Sequence, residues 1–203
     1  MKKNIIAIIT LTLITIIAGV LLGYVYEITK EPIEQQNLRI KLDAYHKVFV
    51  TASDFVEGPG TDISTASDVL AAAGYSDETI DECLVAVDAN NSAIGYVMTI
   101  TTSEGYGGDI KVSVGIGNDG TLYGVEILSI QETAGLGMKA TTDEFKNQFK
   151  DKQVAGFTYT KTGASAEYEI DAISGATITT NAMVNAVNAS LTYFKAIGGG
   201  VNE

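Results

Sequence analysis

From Asn4 to Tyr26 the chain is an apolar stretch rich in Ile and Leu without a single charged residue. As a helix rising 1.5 Å per residue it reaches roughly 34 Å, enough for a bilayer hydrocarbon core of about 30 Å. Lys2 and Lys3 precede it, Glu27 and Glu31 follow it, and Tyr24 and Tyr26 stand where interfacial aromatics are expected. The positive-inside rule then puts the N-terminus in the cytoplasm and the remaining domain outside the cell or plasma (inner) membrane. The stretch is longer than the apolar region of a typical signal peptide, and neither an Ala-x-Ala site nor a cysteine follows directly after it. The pattern predicts an uncleaved single-pass anchor at residues 1–26.

From Glu27 to Val50 the spacing of Ile33, Leu38, Leu42, Tyr45, Val48 and Phe49 is helical, with Pro32 near its start. This predicts a linking helix over 27–50 with the proline tolerated in its first turn. Residues 51–64 read as loop around Gly58-Pro59-Gly60, followed by a short helix at Ala66–Ala73. The period then becomes two. Leu84–Val87 and Ile94–Thr101 flank Asp88-Ala89-Asn90-Asn91, Ile110–Ile116 alternates, and Leu122–Leu128 follows the turn Gly117-Asn118-Asp119-Gly120. Sequential strands on short turns form an antiparallel sheet, here of three or four strands. Residues 131–139 read as a Gly-rich loop and Thr141–Phe149 as a helix capped by Thr142 or Asp143. Phe157–Thr160 and Glu167–Ile170 read as short strands. Thr179–Ile197 reads as a helix with Met183, Val184, Val187, Leu191 and Phe194 on its core stripe, ended by Gly198-Gly199-Gly200. The expectation is an α+β fold, an antiparallel sheet packed with helices, in one extracytoplasmic domain at 51–203 behind an N-terminal transmembrane helix.

Composition narrows the chemistry. Among 203 residues the net charge is −12, which argues against nucleic acid or an anionic lipid surface as partner. One cysteine allows no intrachain disulfide. Cys83, in the apolar run Cys83-Leu84-Val85-Ala86-Val87, is expected in a buried strand, and the lone His46 is expected to be an ordinary surface or packing residue. One Cys and one His are too few for a Cys/His zinc or iron–sulfur site, and no Ser-His-Asp triad can be assembled. Neither a metal site nor a catalytic residue is expected.

Three loops remain. Asp171-Ala172-Ile173-Ser174-Gly175-Ala176-Thr177 crowds small residues and hydroxyls at a helix entry, where free N–H groups and the dipole favour an anion such as phosphate. Glu132-Thr133-Ala134-Gly135-Leu136-Gly137 follows the sheet, and Gly105-Tyr106-Gly107-Gly108 joins two strands. Neither Gly-rich loop fits a dinucleotide fingerprint or a P-loop. On the residues alone, a phosphate site and a plain helix cap with turn glycines both stand. The second makes the chain a flavin-free anchored scaffold.

The segment 171–177 resembles the Asp-x-x-Ser/Thr-Gly-Ala-Thr signature at which a flavin transferase esterifies FMN onto the last threonine. With the other two loops in this order, nearly the whole chain resembles two related FMN-binding proteins. One is the G subunit of the Rnf electron transport complex, a ferredoxin:NAD+ oxidoreductase that translocates Na+ or H+. The other is the C subunit of the Na+-translocating NADH:quinone reductase. The short chain suits the former. The family usually has proline where this chain has Ala134, which costs loop rigidity. The resemblance implies FMN linked covalently to Thr177 through its phosphate, with Ser174 bonding the phosphate or capping the turn. It implies Asp171, Gly175 and Ala176 in the sequence read by the transferase. It implies Glu132, Thr133, Leu136 and Gly137 against the flavin, with Tyr106 and Gly107 nearby. It further implies an electron-transfer subunit without independent catalysis, whose partners are the other subunits of the complex and, for maturation, the transferase.

Overall fold

A computed structural model of the chain describes residues 2–198. Its elements are helix α1 (Lys2–Val48), strand β1 (Asp54–Val56), helix α2 (Ala66–Ala72), strands β2 (Glu78–Val87), β3 (Ala93–Thr102), β4 (Ile110–Gly117) and β5 (Leu122–Ser129), the short helix α3 (Asp143–Lys146), strands β6 (Thr158–Thr160) and β7 (Glu169–Asp171), and helix α4 (Thr177–Ala196). The expected α+β architecture is what forms. Two compact units divide the chain at residues 1–40 and 41–203.

In the first unit the large apolar side chains from Ile5 to Tyr26 are all exposed, a surface that water does not favour at this density. α1 is long and apolar enough, by length and composition, to cross a membrane. Pro32 does not open a separate helix as its position in the pattern suggests. It lies inside the continuous α1, where it has no N–H to offer the preceding turn.

In the second unit, β1 to β5 form one antiparallel sheet in sequential order, and β6 and β7 form a separate parallel pair. The sheet has five strands rather than three or four. The added strand, β1, lies in the stretch that reads as loop. β2 begins at Glu78 rather than Leu84: Glu78 and Ile80 are buried between exposed residues, and a bulge between Ile80 and Glu82 precedes buried Cys83. The helix expected at Thr141–Phe149 is broken into a 3-10 turn (Gly137–Thr141), the single-turn α3 and a second 3-10 turn (Asn147–Phe149). Thr142 caps α3, accepting the Phe145 N–H at 3.4 Å. α4 starts at Thr177, two residues earlier than the periodicity predicts. Gly198 follows it in a left-handed conformation; Gly199 and Gly200 lie outside the described residues.

The sheet is covered on both faces. One face carries Cys83, Met98, Ile100, Val112, Val114, Ile116 and Val125 into a core closed by Met183, Val187, Leu191 and Phe194 of α4. On the other face sit residues 44–49. Tyr45 and Val48 pack on Val97, and Phe49 packs near Ala86 and Tyr123. Gly95 makes this seat: a Cβ there would lie 2.5 Å from Phe49 Cζ and 2.9 Å from Gly117 Cα. A polar row crosses the same face in register, Glu82 opposite Thr99, Thr99 opposite Ser113, Ser113 opposite Glu126. The Tyr45 hydroxyl donates to Glu82 and lies 2.6 Å from Thr99 Oγ1. Lys41 pairs with Glu82 at 2.9 Å, and Lys47 and Lys146 pair with Glu126 at 2.9 and 2.6 Å. Ser113 Oγ is buried without a hydrogen-bond partner among the described residues. Cys83 is buried in β2, as expected of its apolar run. His46 is an exposed packing residue, edge-on to Phe55 at 5.1 Å between centroids.

Candidate functional site

Antiparallel order brings the β3–β4 connection and the loop leaving β5 to one end of the sheet, and α4, packed on the sheet, brings the β7–α4 loop beside them. Together they enclose a cavity of about 630 Å³ lined by Tyr106, Glu132, Thr133, Leu136, Gly137, Gly175, Ala176, Thr177, Ile178 and Thr179. That size lies within the range of cofactor sites. Local chemistry fixes each wall. The Gly107 N–H donates to Glu132 Oε1 at 3.2 Å, tying the first loop to the second. Gly175 has φ +77°, a left-handed turn, and a Cβ on it would lie 3.1 Å from Leu136 Cδ2. Thr180 Oγ1 accepts the Ile173 N–H at 3.0 Å and donates to the Ala176 carbonyl at 3.0 Å, which holds the last loop on the first turn of α4.

Eight residues singled out in the sequence therefore line one cavity: Tyr106, Glu132, Thr133, Leu136, Gly137, Gly175, Ala176 and Thr177. Gly107 is not on the wall but bonds Glu132 behind it. Ser174 is exposed and lines a neighbouring cleft with Asp171, Lys139 and Gln148. Asp171 is used in loop structure: its Oδ1 accepts the Ala164 N–H at 2.6 Å and its own N–H donates to Gln148 Oε1 at 2.6 Å. Two wall residues, Ile178 and Thr179, do not stand out in the sequence. Because α4 begins at Thr177, its first three residues reach the cavity wall, and the small-residue helix entry was the signal that could have found them.

The residues fit a flavin nucleotide. Thr177, half-buried, opens α4 at the cavity wall, and the N-cap Ala176 offers no side-chain acceptor to the first-turn N–H groups. Such an end is complementary to a phosphate. Tyr106, Leu136 and Ile178 supply exposed apolar surface around the opening. No cluster of three or more metal-ligating side chains occurs among the described residues.

Behind the cavity the charge is acidic. Glu104 Oε2 accepts from Nδ2 of Asn185 at 2.6 Å and of Asn181 at 3.4 Å, joining the β3–β4 loop to α4. Glu78 is 5% exposed, and its Oε1 accepts from Thr102 Oγ1 at 3.3 Å. Burial first, then the neighbouring Glu104 charge, pushes the Glu78 carboxyl from 4.5 up to about 7. Between these values the folded chain holds a proton that the unfolded chain has released, so stability falls as pH rises from about 4.5 to about 7 and is level above. Glu78→Gln, which keeps the acceptor for Thr102, is expected to remove that decline and to stabilise the fold by about 1–3 kcal/mol at pH 8. Thermal melting of both chains in detergent from pH 5 to 8 reads this; parallel curves would refute it.

Residues 105–192 match the family described as FMN-binding domain. The G subunit of the ion-translocating oxidoreductase complex of Methanosarcina acetivorans is 31% identical over 93% of this chain and 93% of its own length. The G subunit of the Na+-translocating ferredoxin:NAD+ oxidoreductase complex of Acetobacterium woodii is 30% identical over 91% and 88%. Its counterpart in the proton-translocating ferredoxin:NAD+ oxidoreductase complex of Clostridium ljungdahlii is 30% identical over 94% and 91%. Among solved structures, the C subunit of the Na+-translocating NADH-quinone reductase from Parabacteroides distasonis superposes with a TM-score of 0.50 at 23% identity, over 72% of this chain and 77% of that one. This last likeness is one of fold.

Proposed function

The chain belongs to the family of G subunits of ion-translocating oxidoreductase complexes, and from that premise we propose that it is the electron-transfer subunit of a membrane-bound, ion-translocating ferredoxin:NAD+ oxidoreductase, carrying FMN esterified through its phosphate to Thr177. The observation that carries the reading is the single cavity in which Thr177, the opening residue of α4, meets Glu132, Leu136 and Tyr106 from the two other loops. When bound, FMN supplies reversible electron acceptance and donation.

The chain's own residues supply position and surroundings. The Thr177 hydroxyl gives the ester oxygen, and the open end of α4 offers N–H groups to the phosphate. Tyr106, Leu136 and Ile178 give apolar contact around the opening, and a tether at the phosphate leaves the ring free toward a partner. The apolar stretch of α1 anchors the chain in the membrane, and Lys2 and Lys3 ahead of it put the flavin domain on the extracytoplasmic side. The partners are the other subunits of the complex and, in maturation, a flavin transferase.

The test is intact-protein mass and in-gel fluorescence on denatured full-length chain, co-expressed with a flavin transferase. A fluorescent band heavier by one FMN is expected. A dark band of unmodified mass, with the transferase active on a control substrate, would refute the covalent reading and leave a flavin-free anchored scaffold.

A further inference from the structure

Glu104 stands in the β3–β4 connection, just ahead of Tyr106 on the cavity wall. It is gripped by α4: its Oε2 accepts from Asn185 Nδ2 at 2.6 Å and from Asn181 Nδ2 at 3.4 Å. Thr177, Asn181 and Asn185 follow one another at i, i+4 spacing, so the grip lies on the ridge of α4 that begins at the cavity. The residues after Glu104 lean on Glu132. The Gly107 N–H donates to Glu132 Oε1, and a Cβ on Gly105 would lie 3.1 Å from the same oxygen. Whatever moves Glu104 therefore moves one wall of the cavity.

Glu78 of β2, 5% exposed, is the neighbour able to do so. Thr102 joins the two: its hydroxyl donates to Glu78 Oε1 at 3.3 Å and accepts the Glu104 N–H at 3.3 Å. The titratable groups around Glu78 are Glu104 from the connection, Asp77 next to it in the chain and Tyr75 ahead of β2, and α4 brings only the neutral Asn181, Asn185 and Asn188. No lysine or arginine pairs with Glu78 or Glu104 among the described residues. With its proton, Glu78 donates to the Glu104 carboxylate; without it, two like charges face each other in a poorly solvated place. Burial, then the Glu104 charge, holds that proton up to about pH 7. Glu78 is paired with Thr102 in the sheet, whereas Glu104 lies outside any strand or helix, so the repulsion displaces Glu104.

We infer that Glu78 and Glu104 form a proton-operated latch, which holds the β3–β4 connection on α4 while the pair shares a proton and loosens that wall of the cavity when the proton leaves for solvent. Glu104 is a positioning residue: it acts on a flavin only through the connection, and this last step rests on the flavin reading.

The test compares the full chain in detergent, made without the transferase, with Glu78→Gln at about pH 5.5 and about pH 8.5. Hydrogen exchange over residues 104–109 reads the latch, and fluorescence titration with FMN reads the cavity. Comparison at equal pH cancels both the intrinsic exchange rate and the titration of the FMN phosphate. Glutamine at 78 keeps a donor for Glu104 at every pH. The two chains are expected to agree at the lower pH. At the higher pH the wild-type connection is expected to exchange roughly five-fold faster or more, and FMN to bind several-fold more weakly, than in Glu78→Gln. Asn185→Ala cuts the grip and is expected to exchange fast at both pH values. Glu104→Gln removes the repulsion from the other side and is expected to flatten the pH response, which decides the matter if Glu78→Gln does not fold. Equal exchange at the higher pH in the wild type and in the folded variants at 78 and 104 overturns the latch, and an FMN effect without an exchange effect does the same. The predicted exchange in a chain that binds no FMN supports the latch and counts against the flavin reading alone.

Discussion

Thr177→Ala is expected to abolish flavin attachment completely while leaving the fold in place. The substitution removes the hydroxyl that Thr177 brings to the cavity, so no ester forms there. It leaves the helix unharmed, since alanine is the best helix former and Thr177 is a half-buried residue of the first turn, outside the buried stripe of Met183, Val187, Leu191 and Phe194. Neighbouring hydroxyls do not take over. Thr179, on the same wall, is only 1% exposed, Thr180 is buried and committed to Ile173 and Ala176, and Ser174 faces a different cleft. Intact mass and in-gel fluorescence of the co-expressed variant read the outcome directly. Thr177→Ser restores an oxygen and is expected to recover label. A variant with alanine at 177 that is still labelled would move the acceptor elsewhere and refute the assignment.

Gly95→Ala carries the largest expected loss of stability. Its methyl group would meet the Phe49 ring on one side and the neighbouring strand backbone at Gly117 and Ile116 on the other. Backbone in the middle of a five-stranded sheet cannot give way as the tip of a long side chain can, so Phe49 and the turn it sits on must move. Overpacking of this kind costs about 2–3 kcal/mol, a fall in melting temperature of roughly 5–12 °C for a unit of this size. Gly124→Ala, on β5, is the control: nothing lies within 4 Å of a Cβ there, and its melting is expected within about 2 °C of the wild type. Equal melting of the two variants would show that Phe49 is not seated as described.

Much of the fold was legible because hydrophobic period and turn chemistry agree. The β2–β3 hairpin, the alternation of Ile110, Val112, Val114 and Ile116, and the α4 stripe all follow directly from the pattern. The departures have physical causes. β1 is three residues long and has one half-buried apolar side chain, Phe55, too little for any period. The first half of β2 is Glu-Thr-Ile-Asp-Glu, which shows no apolar alternation because the buried position at its start is a glutamate, Glu78, bonded to Thr102. The 141–149 helix forms as separate short turns, with Phe145 buried on α3 and Phe149 on the 3-10 turn after it, a break that the i, i+4 spacing of the two rings does not announce. In the site, Tyr106, Glu132, Leu136 and Thr177 were legible through motif order. Thr179 was not, because the periodicity starts the helix there, and its place on the cavity wall follows from α4 opening two residues earlier, at Thr177.

The polar row under residues 41–49 has a consequence for how the strands find each other. Strands β3 and β4 are buried on both faces, with Val97, Met98 and Ile100 against Val112, Val114 and Gly115. Such strands lack the inside–outside alternation that normally forbids a slip of one residue. Glu82, Thr99, Ser113 and Glu126 provide what is missing. A one-residue shift would push Ser113 among the α4-facing aliphatics and strand Tyr45 and Glu82 without Thr99. The row thus acts as an alignment key for the sheet: four polar side chains in an otherwise apolar stretch mark the one pairing in which Tyr45 reaches both Glu82 and Thr99.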